Sequence, residues 1–538
     1  MTNVPWLTVV MMIPLGTAIL LQLVPRSDRG AIKAVTVLGT LATAGLVAGL
    51  LIAFTRNPVV HAVGPGPQGL VLAFQFEEFR EWIPQIGAAY HLGLDGLSAW
   101  LLALDAGVFL LGAVAISSRT TERLKFYCGL MLVTEAATIG VLLSVDMLLF
   151  YLFWEGMLVP LYFLLASYGG RDRGRATLKF IGYTVAGSLL MLLAIIYLYV
   201  HSRTTATGHA SFDLLALMLY PGDSQQPVTF LNIQLLTPQQ FAFVAFALAF
   251  AIKVPLVPFH TWLPDSYANC PPATLTFFAG IVSKLGAFGF IRYGLTLFPG
   301  PVHDFQWILE GLAILSIIYG AMLALAQSDI KRIVAYSSIS HLGFIALGIF
   351  ALNLNGVNGA IIQMVNHGLI IAALFLVVGY IEARTGTRDR HAISGLERRM
   401  PWLYALFLII TLAGLGMPGM NSFVGEFTIM LGAFQASPLL AVLAGVGVVL
   451  ACWYMLRLHQ GLMHEPLSPA AETVRDIGAG ERMVLLPLAA LMILIGVYPK
   501  PLGDITRSSA AQYVIRASAP PPPLAAAPRP PVATVGRP

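Results

Sequence analysis

The sequence predicts an all-α polytopic membrane protein of about 14 transmembrane helices, built on two inverted five-helix repeats with broken helices at spans 7 and 12. Three observations predict it. Of 538 residues 57% are hydrophobic and 11% charged, with a mean hydropathy of +0.79, where an ordinary soluble domain carries about 25% charge. The apolar residues gather in runs of about 20, the length that crosses a bilayer as a helix. The basic residues cluster in alternate connectors. A soluble enzyme is thereby excluded, and the net charge of +5, which would point to nucleic acid in a soluble protein, is read as membrane topology instead.

Apolar runs bounded by charge, Gly and Pro place spans at 5 to 25, 31 to 54, 96 to 117, 124 to 143, 145 to 169, 177 to 201 and 239 to 263. A second series follows at 272 to 297, 305 to 327, 331 to 352, 357 to 381, 402 to 435, 438 to 460 and 482 to 498. Residues 1–123 thus form an N-terminal group, 124–297 a first repeat of helices 4 to 8, and 305–460 a second repeat of helices 9 to 13. Two larger pieces share the outer side: 55–95, and 202–238 with a possible strand in PVTFLNI. The Pro- and Ala-rich tail, 499–538, is expected to be disordered. Pro5 to Val24 has its basic residues after the apolar run, the wrong order for a signal peptide.

Charge placement tests the span count. Connectors expected on one side carry 20 of the 31 basic residues, among them Lys33, Lys125, Lys179, Lys331, Arg332, Arg384 and Arg388. The other side holds Arg56, Arg80, Arg203 and Arg292 before the tail. Positive loops stay in the cytoplasm, so both termini are expected to face outward. Cys128, Cys270 and Cys452 lie far apart with no CxxC, and no Walker loop or GxGxxG is present, so the chain is expected to hold no redox cofactor, nucleotide or metal of its own.

Six ionisable residues remain near the middle of spans: Glu155, Lys253, Lys284, His341, His367 and Glu426. A charged side chain there costs roughly 2.5 to 3.5 kcal/mol on insertion scales, so a set at one depth marks a polar interior. The plain alternative is ion pairs that hold helices together. Pro255 and Pro258 follow Lys253 and free the carbonyls of Ala251 and Val254, and Pro418 with Gly414, Gly416 and Gly419 interrupts span 12 ahead of Glu426. Such backbone survives at membrane depth only inside protein or against a wet cavity. Burial disfavours a charged lysine and a nearby carboxylate restores it, so movement of Glu155 relative to Lys253 would switch the lysine between holding and releasing a proton. The histidines relay protons near neutrality. Glu135, Asp105 and Asp146 form a second tier, for which a helix-helix hydrogen bond or, for Asp146, a helix cap is the simpler role. A haem held between His341 and His367 is a rival that leaves both lysines and both broken helices unexplained.

The motifs DMLLFYLFWEGMLVPLYFL, AFAIKVPLVPFHTWLPDSY, TFFAGIVSKLGAFGFIRY, QSDIKRIVAYSSISHLGF, QMVNHGLIIAALF and GMPGMNSFVGEF resemble the antiporter-like subunits of bacterial NADH-quinone oxidoreductase, respiratory complex I, from about residue 73 to 460. Within that family the resemblance is to the M-type chains, counterparts of mitochondrial NADH dehydrogenase subunit 4. The L- and N-type chains carry a lysine where Glu426 stands, and nothing after span 14 resembles the lateral helix of L-type chains. The resemblance implies Glu155 and Lys253 as the input pair, Lys284, His341 and His367 as a hydrated central axis, and Glu426 as the terminal site. It also implies a proton-translocating subunit in a bacterial cell membrane, flanked by L- and N-type chains, with FMN, iron–sulfur clusters and quinone in partner subunits. An Mrp-type cation/proton antiporter and a membrane subunit of a hydrogenase-like complex are the alternatives.

Overall fold

The computed structural model describes residues 4–56, 72–116, 122–202, 210–218, 229–230, 233–234 and 236–518. Arg119, Arg203 and the end of the tail lie outside them. Helices α1 (Trp6–Leu20) and α2 (Arg29–Arg56) open the chain. An antiparallel hairpin of β1 (Gln75–Ile83) and β2 (Ala88–Leu94) leads into α3 (Gly96–Ala115), whose N-terminus is capped by the Asp95 carboxylate. Next come α4 (Leu124–Leu143), α5 (Met147–Gly156), α6 (Leu158–Tyr168), α7 (Arg173–Ser202) and the one-turn α8 (Leu214–Leu217). The strand expected in PVTFLNI is a pair of two-residue strands, β3 (Thr229–Phe230) and β4 (Ile233–Gln234).

The core follows. Helix α9 (Pro238–Lys253) ends at its lysine, and α10 (Trp262–Asn269) resumes beyond the break. Span 8 is one buried rod of α11 (Pro272–Phe277), α12 (Lys284–Gly289) and α13 (Leu295–Leu297), joined by π-helical turns at Phe278–Val282 and Phe290–Gly294. The chain continues through α14 (Pro299–Ala326), α15 (Ile330–Phe350) and α16 (Leu354–Thr385). After these, α17 (Pro401–Gly414) and α18 (Asn421–Ala436) flank the second break, followed by α19 (Pro438–Met463), α20 (Ala479–Val497) and α21 (Lys500–Ser518).

Among the described residues 12 helices are long and apolar enough to cross a membrane, the pair α5 and α6 counting as one; the shorter apolar helices α9 and α17 stand where spans 7 and 12 were expected. Burial ranks them. In their most apolar windows the span-8 rod and α16 are 100% buried, whereas α2, α19 and α20 are 28% buried. A helix apolar on every side and buried on every side forms the centre of a bundle. Small residues let these central helices meet: a Cβ on Gly368 of α16 would stand 2.6 Å from the Gly280 carbonyl oxygen.

Three expectations change. Arg292, assigned to an outer connector, is fully buried in the span-8 rod, where it donates to Asp95 at 2.6 Å. Asp95 also accepts from Tyr513 of α21 at 2.6 Å. The first part of the tail, expected to be disordered, is helix α21: Leu502, Thr506, Ser509, Ala510, Tyr513 and Ala517 recur at helical spacing and form its buried face. That stripe is mostly polar or small, so composition hid it. Span 5, expected to be one helix, is interrupted at Met157, directly after Glu155 and Gly156.

Ion pairs confirm which connectors share an end. Asp265 binds both Lys179 at 2.8 Å and Arg332 at 3.0 Å, Arg388 reaches Asp329 and Glu382, and Arg384 holds Glu481. These join connectors that the charge count placed together. At the other end His91 of β2 hydrogen-bonds Asp213 and, at 2.8 Å, Glu77. Burial opposes the imidazolium, but the bonds to Asp213 and Glu77 outweigh it and push His91 up to about 9.

Two outcomes follow. A group raised in the folded state stabilises fully below its unfolded value, near 6.5, and that stability fades as pH rises through about 9. His91→Gln is therefore expected to lower the thermal midpoint more at pH 6 than at pH 9.5, and a pH-independent difference would contradict the assignment. Breaking one side of a buried ion pair costs about 3 to 5 kcal/mol. Asp95→Asn alone should deplete folded chain from membranes, and adding Arg292→Met should restore much of it, as immunoblots of the membrane fraction will show.

Candidate functional site

The site starts at the break in α9. Pro255 cannot donate to Ala251, and the Ala251 carbonyl, expected to be free, instead accepts from Leu256 N–H at 2.9 Å. The Trp262 indole donates to the Ile252 carbonyl at 2.8 Å, and Val257 N–H donates to Ser316 of α14 at 2.9 Å. The broken backbone is thus fastened inside protein. Lys253, the last residue of α9, is 1% exposed, and its Nζ has no hydrogen-bond partner among the described residues. It lies 4.9 Å from the centroid of the Trp154 ring, a cation–π contact.

Glu155 follows Trp154 in the last turn of α5 and is half-buried. It is coupled electrostatically to Lys253 without contacting it, and its Oε1 is buried and unpartnered. The two residues expected as the input pair are therefore out of hydrogen-bond contact, with Lys253 Nζ resting against an aromatic face. An ion pair whose work was to clamp helices would be in contact.

Lys284 stands between the two π-helical turns. A π turn offsets the carbonyls from their usual donors, and here the lysine Nζ donates to the Ala279 carbonyl at 2.5 Å and to Ser283 Oγ at 3.3 Å. His367 of α16 is buried with both ring nitrogens unpartnered, within electrostatic reach of Lys284 and His341. The two imidazole centroids are 5.7 Å apart.

Beyond them the contacts are direct. His341 Nδ1 lies 2.8 Å from Glu426 Oε1, and its Nε2 lies 3.1 Å from the Tyr454 hydroxyl. With Nδ1 protonated the ring donates to the carboxylate and accepts from the tyrosine. Glu426 Oε1 also accepts from Gln363 Nε2 and Ser422 Oγ, each at 3.0 Å. Both nitrogens of His341 are engaged, so the paired-histidine haem has no free ligand on that side. Among the described residues no group of three or more His, Cys, Asp or Glu is placed to hold a metal ion.

The helix break next to Glu426 is built with glycine for two reasons. Gly416 has φ +73°, and a Cβ there would sit 2.9 Å from Glu426 Oε2. Gly419 has φ +91° and open space around its Cβ position.

Sequence reasoning missed Trp154, Gln363, Ser422 and Tyr454. A signal for two of them was available: Gln363 and Ser422 precede His367 and Glu426 by four residues, one helical turn, so each shares a face with an ionisable group. In the second tier, Asp146 is a cap, accepting from Leu148, Leu149 and Ala89 N–H groups at 2.9, 3.0 and 3.0 Å. Asp105 and Glu135 lie fully buried on α3 and α4, away from any cap.

A bundle of apolar helices with two internal breaks, each break next to a buried ionisable group, defines the class of membrane-embedded ion translocators. The chain belongs to the NADH:quinone oxidoreductase/Mrp antiporter transmembrane family, whose model matches residues 144–451. It is similar to proteins named NADH-quinone oxidoreductase subunit M: 36% identical to that of Mycobacterium tuberculosis, covering 94% of this chain and 93% of the relative. It is 37% identical to that of Rhodobacter capsulatus, over 94% and 96%, and 40% identical to that of Pseudomonas aeruginosa, over 80% and 82%. Its fold matches a chain of respiratory complex I from Thermus thermophilus with a TM-score of 0.79, 32% identity and 94% and 99% coverage. A chain of the Mrp complex from Dietzia shares the fold with a TM-score of 0.77, at 21% identity over 96% and 100%.

Gly419→Ala should cost about 1 to 2 kcal/mol, the strain of a left-handed residue alone. Gly416→Ala carries the same strain and in addition displaces the Glu426 carboxylate, whose Oε2 would lie 2.9 Å from the new Cβ, so it should slow proton pumping more than Gly419→Ala does. Equal pumping by the two variants would show that Glu426 does not rest against Gly416.

Proposed function

We propose that the chain is a proton-translocating membrane subunit of an NADH–quinone oxidoreductase, in which Glu155, Lys253, Lys284, His367, His341 and Glu426 carry the proton in that order. What supports the order most is the arrangement at its far end, Lys284 electrostatically coupled to His367, His367 with its ring 5.7 Å from that of His341, and His341 bonded to Glu426. Lys253 is the switch. Its ammonium has no hydrogen bond, so its charge depends on Glu155 and on the face of Trp154. When Glu155 approaches, the protonated lysine is stabilised; when it withdraws, burial drives the proton off toward Lys284. Water bridges Lys253 and Lys284 on this reading, since no side chain joins them directly. Glu426, set under three donors, takes the proton last, and Tyr454 and Gln363 keep His341 and Glu426 in register.

The same reading places both termini on the outer face of a bacterial cell membrane, 14 helices in two inverted repeats in the bilayer, and L- and N-type chains on either side. FMN, iron–sulfur clusters and quinone belong to the partner subunits. A cation/proton antiporter is the second reading, because one family model covers both kinds of protein. Identities of 36 to 40% to subunit M proteins favour the first. Copurification separates the two, since NADH oxidation with quinone reduction in the purified assembly belongs to the first alone.

Lys253→Met and Glu155→Gln are each expected to slow NADH-driven proton uptake in vesicles by about tenfold or more, the scale of a lost acid–base group. The assembled complex, with this chain in it, should remain detectable on native gels of the membranes. Pumping at the wild-type rate in either variant would defeat the model.

A further inference from the structure

Asp105 and Glu135 take no part in the path above, yet both are 0% exposed near the middle of their helices, and none of their four carboxyl oxygens accepts a hydrogen bond. The simple role for either, a helix-helix hydrogen bond, requires a donor on another helix; among the described residues the one hydroxyl close to Asp105 is that of Thr138, and none is placed on Glu135. Thr138 Oγ lies next to Asp105, but it donates to the carbonyls of Thr134 at 3.1 Å and Glu135 at 2.9 Å. Among the described residues the one charged group coupled to Glu135 is Asp105, and no basic side chain reaches either. Buried polar atoms left without partners need a physical explanation.

We propose that Asp105 and Glu135 form a proton-holding carboxyl pair, a lateral store that exchanges with the Lys284–His367 segment. The proposal rests on the functional reading above. Two coupled carboxylates buried in apolar surroundings are strongly disfavoured when both are ionised, because each bears a desolvation cost and repels the other. The stable forms are a neutral pair holding two protons and a monoanion holding one. On release an O–H bond of the neutral pair breaks, and the proton passes through intervening water to an unpartnered nitrogen of His367 or to neutral Lys284 Nζ, while the second acid keeps its own proton. Reuptake reverses each step. Repulsion limits the store to one exchangeable proton, since removal of the second would leave two coupled bare charges.

The packing brings the helices that carry this pair against the helices of the path. Leu104, next to Asp105, lies 2.5 Å from where a Gly368 Cβ would be, and Gly368 follows His367. Val108, one turn on, lies 3.1 Å from the Cβ position of Gly280, which follows the residue whose carbonyl takes the Lys284 ammonium. Helix α4, which carries Glu135, packs directly on α12, which begins with Lys284. Of the titratable groups on the helices packed against α3 and α4, Lys284, His367 and, on α5, Glu155 belong to the proposed path, while Lys33 of α2, Glu382 of α16 and Asp504 and Tyr513 of α21 lie on the same neighbours.

The test uses the assembled complex in vesicles, by infrared difference spectroscopy and pumping assays. The wild type should show the carbonyl stretch of a protonated carboxylic acid that changes between resting and turning-over enzyme. Asp105→Asn and Glu135→Gln should each remove that change and slow pumping severalfold. The exchanged pair, Asp105→Glu with Glu135→Asp, keeps two carboxyls and should keep both signals, which guards against a variant that merely misfolds. An unchanged carbonyl signal in the Asp105→Asn, Glu135→Gln double variant, or wild-type pumping in both single variants, would overturn the proposal. If those variants pump normally while Lys253→Met does not, the store fails and the main path stands; if Lys253→Met also pumps, the path itself fails.

Discussion

A charge inside hydrocarbon has to be surrounded, and that requirement organises this molecule. Two lysines, two glutamates and two histidines occupy the interior of helices that are otherwise apolar, and each has been given a different way to be tolerated. Lys253 rests on an aromatic face, Lys284 caps a carbonyl displaced by a π turn, and Glu426 sits under three donors. Neither lysine is neutralised in a tight ion pair, and Glu426 meets an imidazole, His341, at 2.8 Å. Transport needs groups whose protonation states lie close in energy, and a tight buried pair would lock one of them in place.

The helix breaks serve the same requirement. In α9 the interruption comes directly after Lys253, and the backbone around it is bonded to Trp262 and Ser316 rather than left open. In the second break, left-handed glycines let the chain turn within reach of Glu426. Proline creates the first interruption, proline with glycine the second, and the neighbouring helices satisfy what they expose. The enclosed parts lie around these points: the span-8 rod and α16 are buried on all sides, while Glu155 lies on the less buried span 5.

Both ends of the bundle are fixed by charge of a more ordinary kind. At one end the basic connectors find Asp265, Glu382 and Glu481; at the other, Asp95 gathers Arg292 and Tyr513 from distant parts of the chain. Arg292 was misplaced in the sequence reading because an arginine next to an apolar run looks like the start of a connector. Its partner is nearly 200 residues away in the chain, and no local pattern announces it. Helix α21 was missed for a related reason: its buried face is made of Thr, Ser, Ala and Tyr, which carry weak hydrophobic periodicity and bury well only against the ends of other helices.

By itself the sequence determined the membrane class, the position of nearly every crossing helix, the two breaks and the six ionisable residues, because each depends on local chemistry: run length, proline, and charge where hydrocarbon penalises it. Tertiary structure decided how those residues relate. It left Glu155 and Lys253 out of hydrogen-bond contact with Trp154 beneath the lysine, bonded His341 directly to Glu426 with Gln363 and Ser422 on the carboxylate and Tyr454 on the imidazole, reduced Asp146 to a cap, and left Asp105 and Glu135 buried without hydrogen bonds to their carboxyl oxygens. Those distinctions depend on distances between helices far apart in the chain, and periodicity along one helix carries no information about which side chain waits on the next.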